Sequence, residues 1–168
     1  RLRSSAASDV YKRQVLTRPL GNFWMRSAYR IPLGQFPMVA RFTSQETATN
    51  TPITEMVINS LITSHADGAH VKVGEVKVSG LAWDGGYGIS SVDASTDGGL
   101  TWSSATLGDD LGRYAFRPWS FALTTRPGKN TVMVNATNKI GQTQTATLLF
   151  NPAGYHNNVM QSVTLTAT

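Results

Sequence analysis

The sequence predicts an all-β chain: an immunoglobulin-like β-sandwich preceded by an irregular segment. Three observations carry this. Clusters of Gly, Asp, Asn and Ser recur roughly every 8–12 residues from Pro52 onward, the turn spacing of a sandwich or barrel. Between the turns, apolar residues alternate with polar ones, so an extended chain would turn one face to a core. No stretch carries apolar residues at the helical period over a useful length. With 168 residues, 40% hydrophobic and 15% charged, the chain can bury a sizeable core and lacks the composition of a disordered one.

The elements follow in order. Within residues 1–14, "RLRSSAASDVYKRQ", the string Ser4 to Gln14 looks like the translation of a sequencing-library adapter, and the fourteen residues read as a non-native scar. The natural chain is therefore expected to extend upstream of Val15, making this a C-terminal fragment whose own leader is out of view. Residues 15–51 hold Pro19, Pro32 and Pro37 and the cluster "NFWMRSAYRIP", and no helical period survives the prolines. They read as a connecting segment. Residues 52–168 form the sandwich. "ITEMVINSLITS" is β-branched and extended. "GEVKVSGLAW" places Val76, Val78 and then Leu81 or Trp83 on one face, with a break expected at Gly80. "ISSVDAS" and "LTWSSATL" are the next strands, and "RYAFRPWSFAL" is an aromatic-rich one. "NTVMVNATN" alternates Val132, Val134 and Ala136, "NKIG" turns, "QTQTATLLF" is expected to return as a strand, and "NVMQSVTLTAT" closes with Val159, Val163 and Leu165.

Bulk properties exclude several classes. The formal charge is +5, but the first fourteen residues hold four of the fifteen basic residues and one of the ten acidic ones, leaving +2 for the rest. A nucleic-acid partner loses its electrostatic support. No apolar run is long enough to span a membrane as a helix. There is no cysteine, which excludes disulfides, zinc thiolates and thiol nucleophiles within the chain.

Most of the motifs resolve as turn chemistry. "DASTDG" imitates the start of a calcium loop, but its twelfth position is Ser104 rather than a bidentate Glu, and its flanks are strands. "STDGGLTW" matches a single Asp box, a structural hairpin motif of sialidase-like propellers. Asp97 can accept turn amides, Gly98 and Gly99 supply positive φ, and Trp102 covers the hairpin base. "DGGYG", with Asp84, Gly85 and Gly86, lacks the lysine and helix of a phosphate cradle and reads as a second turn. His65, His70 and His156 lie too far apart for a paired metal site. No GxSxG elbow exists. Arg117 is different. In a strand it shares a face with Trp119 and Ala115, with Arg113 further along, and an arginine among aromatics is costly to bury without an anionic partner. It is either an anion-recognition group or a snorkelling, salt-bridged one.

Five ordered motifs, "ITEMVINSLITS", "GEVKVSGLAWDGGYGISSVDASTDGGLTW", "LGRYAFRPW", "NATNKIGQTQ" and "NPAGYHNNVMQSV", together resemble the C-terminal dimerisation domain of molybdenum-cofactor oxidoreductases, the family of sulfite oxidases and sulfite dehydrogenases. The resemblance runs over residues 23–163. It implies that residues 15–51 are the tail of a molybdopterin-binding domain and its linker. It also implies that the intact enzyme oxidises sulfite to sulfate at a pterin-bound molybdenum held by a cysteine of that upstream domain. The sandwich would pack on that domain and form a homodimer or pair with a c-type cytochrome, in the periplasm for bacterial members, which "LGRYAFRPW" and "NPAGYHNNV" most resemble. Arg117 matches an arginine that reaches the substrate channel in sulfite-oxidising members; Arg113 has a weaker claim. Lacking cysteine, this chain alone is expected to bind no molybdenum and to be inactive. The competing readings are a free-standing extracellular immunoglobulin-like interaction module and a carbohydrate-binding, sialidase-related piece.

Overall fold

The computed structural model describes residues 17–18, 20–32, 50–148 and 154–168. The readings of residues 1–14, Pro19 and Pro37 fall outside these. The described residues fall into two compact units, one ending at Thr54 and one beginning at Glu55.

The first unit is less irregular than its prolines suggest. A π-helical turn, Trp24–Ala28, precedes strand β1 (Arg30–Pro32), which pairs antiparallel with β2 (Asn50–Pro52). Arg30 is buried, with its guanidinium donating to the side chain and carbonyl of Asn50 and to the carbonyl of Arg26. These three acceptors are neutral, so among the described residues backbone and amide dipoles stabilise this buried cation.

The second unit is the expected sandwich. One sheet has four strands in the order β3 (Asn59–Ile62), β5 (Gly74–Trp83), β9 (Arg117–Thr125), β8 (Thr106–Leu107). The other has five, in the order β4 (His70–Val71), β11 (Gln161–Ala167), β10 (Gly128–Asn138), β6 (Ile89–Ser95), β7 (Ser103–Ser104). All pairs are antiparallel except β4 on β11. The inner faces meet in one core: Val78, Ala82, Trp119 and Leu123 from the smaller sheet, and Val92, Val132, Val134 and Leu165 from the larger. Apolar burial of this kind contributes on the order of 25 cal/mol per Å² and is the main stabilising term.

Three readings are corrected. The strand β5 does not break at Gly80. It runs straight through, and its inward row is Val78, Gly80, Ala82, which turns Leu81 and Trp83 outward. Trp119 explains the glycine. It pairs with Gly80 in register, and a Cβ at position 80 would lie 2.5 Å from its Cζ2 atom and inside contact distance of the Leu61 carbonyl oxygen. "LTWSSATL" is not one strand but two short ones, β7 on the larger sheet and β8 on the smaller, so the chain changes sheet at Ala105. Over residues 142–148 of "QTQTATLLF" no strand forms; the segment makes only isolated bridges, Thr137 to Thr143 and Thr145 to Val159. Its anchor is Gln144, which is buried. Its Oε1 accepts from Ser60 Oγ at 2.6 Å and from the Ala136 amide at 2.9 Å, and its Nε2 donates to Asn59 Oδ1 at 2.9 Å. Those bonds tie β10 of one sheet to β3 of the other.

Candidate functional site: the Arg117 edge and the glycine-rich loops

Strand β9 starts at Arg117, and its inward row is Arg117, Trp119, Phe121, Leu123 and Thr125. The shared face expected for Arg117 and Trp119 is present. The side chain of Arg117 is 18% exposed, and its Nη1 lies 3.2 Å from Asp110 Oδ2. That approach is an ion pair whose angle is not that of a hydrogen bond, so Nη1 and Nε are buried donors without a hydrogen-bond acceptor among the described residues. Lys139 Nζ reaches the same Asp110 oxygen at 3.3 Å. The other Asp110 oxygen accepts the Gly112 amide at 3.0 Å. That amide first, and then the Lys139 ammonium and the Arg117 charge, hold the Asp110 carboxyl below the usual carboxylate range. The arrangement is two cations around one carboxylate at the edge of the sheet.

Arg113 is not part of it. Residues 113–115 form a turn closed by the Ala115 amide on the Gly112 carbonyl at 3.0 Å, not the start of the aromatic strand. Arg113 is exposed and lies over the Tyr114 ring, 4.8 Å from its centroid. The shared strand face for Arg113, Ala115 and Arg117 fails because Gly112, at φ 109°, lets the chain turn there.

The glycine-rich loops are built as local cages. The buried Asp84 accepts the amides of Gly86, Tyr87 and Gly88 at 3.0, 3.2 and 3.1 Å. Gly86, at φ 115°, leaves room for the Tyr114 ring, which a Cβ would strike. Gly85 lies beside the Met56 carbonyl. In the Asp box, Asp97 Oδ1 accepts Ser95 Oγ at 2.7 Å and the Leu100 and Thr101 amides at 3.0 and 2.9 Å, while Thr101 Oγ1 donates to Oδ2. The Thr101 hydroxyl above all, with its amide and Ser95, pushes the Asp97 carboxyl far below its usual range. Gly98 and Gly99 have φ 76° and 91°, and Trp102 Nε1 donates to the Gly99 carbonyl at 3.1 Å. Donors of its own loop occupy both Asp97 oxygens, so Asp97 organises the turn. The histidines stay apart: His65 bonds Ser64, His70 stands in β4, and His156, at φ 57°, donates from Nε2 to the Glu55 carbonyl.

Sequence reasoning missed Asp110, Lys139 and Gln144. A signal for Asp110 existed: an Asp two residues before a glycine favours an Asx turn, which fixes the carboxylate.

The chain is similar to several known proteins. Mouse mitochondrial sulfite oxidase is 52% identical over 56 residues, 33% of this chain and 10% of that protein. The human enzyme is 43% identical over 72 residues, 40% of this chain and 13% of that protein. The chain thus spans only 10–16% of the length of the curated relatives it matches. Among solved structures, the sulfane dehydrogenase SoxCD from Paracoccus pantotrophus superposes with a TM-score of 0.60 at 25% identity, covering 66% of this chain and 30% of that one. The family model for the Mo-co oxidoreductase dimerisation domain matches residues 50–168. A two-sheet sandwich, the ordered motifs and a match across both sheets make one conclusion: the chain belongs to the Mo-co oxidoreductase dimerisation domain family.

Proposed function

We propose that this chain is the dimerisation portion of a molybdenum-cofactor enzyme that oxidises sulfite to sulfate, and that Arg117 contributes a guanidinium to substrate binding. One observation carries the second part: Arg117 holds two buried donors, Nε and Nη1, without a hydrogen-bond acceptor among the described residues. Buried donors of a permanent cation are costly to leave unmade, and a planar guanidinium fits two oxyanion oxygens at once. Identity to sulfite oxidases, at 43–52%, favours sulfite among the sulfur substrates.

The chain's own residues do not fit the metal group. It has no cysteine to supply a thiolate, and among the described residues no group of three or more His, Cys, Asp or Glu side chains could hold a metal. No step of the oxidation is assigned to it. On this reading residues 15–51 are the tail of an upstream molybdopterin domain, residues 52–168 are the sandwich, and the enzyme is periplasmic, as a homodimer or with a c-type cytochrome. A free-standing interaction module would instead lead from a signal peptide straight into the sandwich, so the gene upstream of Val15 separates the two.

The test for Arg117 uses the complete enzyme. Arg117→Met is expected to raise KM for sulfite by about 10- to 100-fold, the worth of a lost charge-assisted contact. The kcat is expected to change less, and Arg117→Lys to recover part of the loss. An unchanged KM in a folded Arg117→Met enzyme removes the role.

A further inference from the structure

Where the chain crosses from the smaller sheet to the larger, it leaves a cavity of about 440 Å³. Strand β9 ends at Thr125 and β10 begins at Gly128, so the bend at Arg126 and Pro127 joins the two sheets. Gly128 takes φ 98° there. Asn130 closes the bend: its Oδ1 accepts the Arg126 amide at 2.9 Å, and its Nδ2 donates to the Arg126 and Gly128 carbonyls at 2.7 and 3.0 Å. That clamp fixes the backbone from which Arg126 and Lys129 project. Both residues line the cavity, together with Thr96 from the end of β6 and Thr124 of β9, and the buried Leu123 forms part of its wall.

We propose that this cavity binds an oxyanion group of the phosphate or sulfate class. Neither cation is neutralised: among the described residues no carboxylate pairs with Arg126 or Lys129, and neither side chain donates a hydrogen bond. The neighbouring acids are accounted for. Asp97, next along the chain from Thr96, has both oxygens taken by donors of its own loop. Glu75 stands opposite Thr124 on β5 and pairs with neither cation. Two cations at the ends of one bend repel each other, and an anion between them removes that cost. Neutral donors stand beside them. The Thr96 and Thr124 hydroxyls have no partner among the described residues. The backbone of β9 adds a third. Strand β8 covers only Trp119 and Ser120, and the Gly108 amide on the Pro118 carbonyl shows that the even residues of β9 bond toward that side. Beyond β8, Thr124 therefore offers its amide on an open strand edge. Two cations with hydroxyl and amide donors suit a tetrahedral oxyanion, which accepts on every oxygen. The volume lies in the range of about 300–1,000 Å³ of small-molecule sites, so an ester of such an anion also fits. The cavity is separate from the Arg117 edge: β9 runs 9 residues, about 30 Å, between them.

The test is titration calorimetry of the full-length protein with inorganic phosphate, inorganic sulfate and phenyl phosphate, at an ionic strength held constant with chloride. Arg126→Gln and Lys129→Gln are each expected to weaken one component of the phosphate binding by about 10-fold, the worth of a charge-assisted contact. Thr96→Val is expected to weaken the same component by about 3-fold, the worth of a neutral hydrogen bond. Arg117→Met, at the other end of β9, is expected to leave it unchanged. Both cations are exposed, so these variants keep the fold, which unfolding curves confirm. Tighter binding of phenyl phosphate than of inorganic phosphate assigns the cavity to an ester; equal or weaker binding assigns it to the free ion. Titrations that are identical for wild type and both glutamine variants overturn the proposal. A component that chloride displaces as well as phosphate does marks an adventitious ion only, and overturns it too. A component that Arg117→Met removes belongs to the Arg117 edge and not to this cavity. Crystals soaked in selenate give a readout that needs no variant: the anomalous selenium peak is expected beside Arg126 and Lys129, and its absence refutes the site.

Discussion

Gly80 offers the most direct test of the packing. It has a strand conformation that any residue could adopt, so intrinsic preference favours alanine by about 0.5–1 kcal/mol through the unfolded chain. The tertiary structure opposes this. A Cβ there would lie 2.5 and 2.8 Å from the Cζ2 and Cε2 atoms of Trp119, which is 2% exposed, and inside contact distance of the Leu61 carbonyl. The carbonyl belongs to a paired backbone, so β3 must shift from the register that sets Leu61 against Leu81 and Ile62 against Gly80. Overpacking of this kind costs about 1–3 kcal/mol, and a clash on two sides with one rigid partner belongs at the upper end. After the propensity gain, Gly80→Ala is expected to destabilise by about 2 kcal/mol, a fall of about 8 °C in melting temperature for a domain of this size. Thermal unfolding measures it. Repeating the substitution in a Trp119→Leu background separates the two clashes: the ring's share vanishes, the carbonyl's remains, and the difference is their coupling. An unchanged or higher melting temperature for Gly80→Ala would refute the account of why β5 carries a glycine at its centre.

Two further outcomes are expected. Gln144→Ala strips bonds from Ser60, Asn59 and the Ala136 amide. The loss is about 3 kcal/mol, or about 12 °C, since buried groups are left unmade; a fall under about 3 °C contradicts the stapling role. For Asp97, whose folded-state pKa lies below its ordinary 3.8, the stabilisation is complete above that value and fades as pH falls below it. Asp97→Asn should therefore melt lower than wild type near about pH 6, with the two curves converging under acid; a constant gap across the pH range would show that ionisation is not what Asp97 contributes.

How far the sequence was legible depends on the range of the interactions. Strands β10 and β11 were readable because each buries one face only: Val132, Val134 and Ala136, then Val163 and Leu165, alternate without ambiguity. Strand β5 was misread because its C-terminal half is apolar on both faces, Ala82 inward and Leu81 and Trp83 outward. A two-residue period cannot choose between two apolar rows. Gly80 looked like a break because its reason, the Trp119 ring, lies far along the chain. Gln144 sat in a stretch of strand-like residues, and nothing local says that an amide will be buried between two sheets. The Asp84 and Asp97 cages were legible because every bond closes within a few residues.

The Asp110 cluster bears on whether Arg117 can serve an anion at all. A carboxylate beside the guanidinium looks like neutralisation, which would leave nothing for a substrate. The stoichiometry says otherwise. Asp110 is shared between Arg117 and Lys139, so the three groups sum to one positive charge. Its other oxygen is fixed by the Gly112 amide, which ties the carboxylate to its own loop. Asp110 is 44% exposed and screened by water, whereas the Arg117 side chain is 18% exposed, so the pair's mutual attraction is weakened while the arginine stays desolvated. Among the described residues this guanidinium has an off-angle contact to Asp110 and no hydrogen-bond acceptor for Nε or Nη1, so it is positioned without being satisfied. That is the condition an oxyanion-binding arginine must meet, because a fully bonded one would have to break contacts before making new ones.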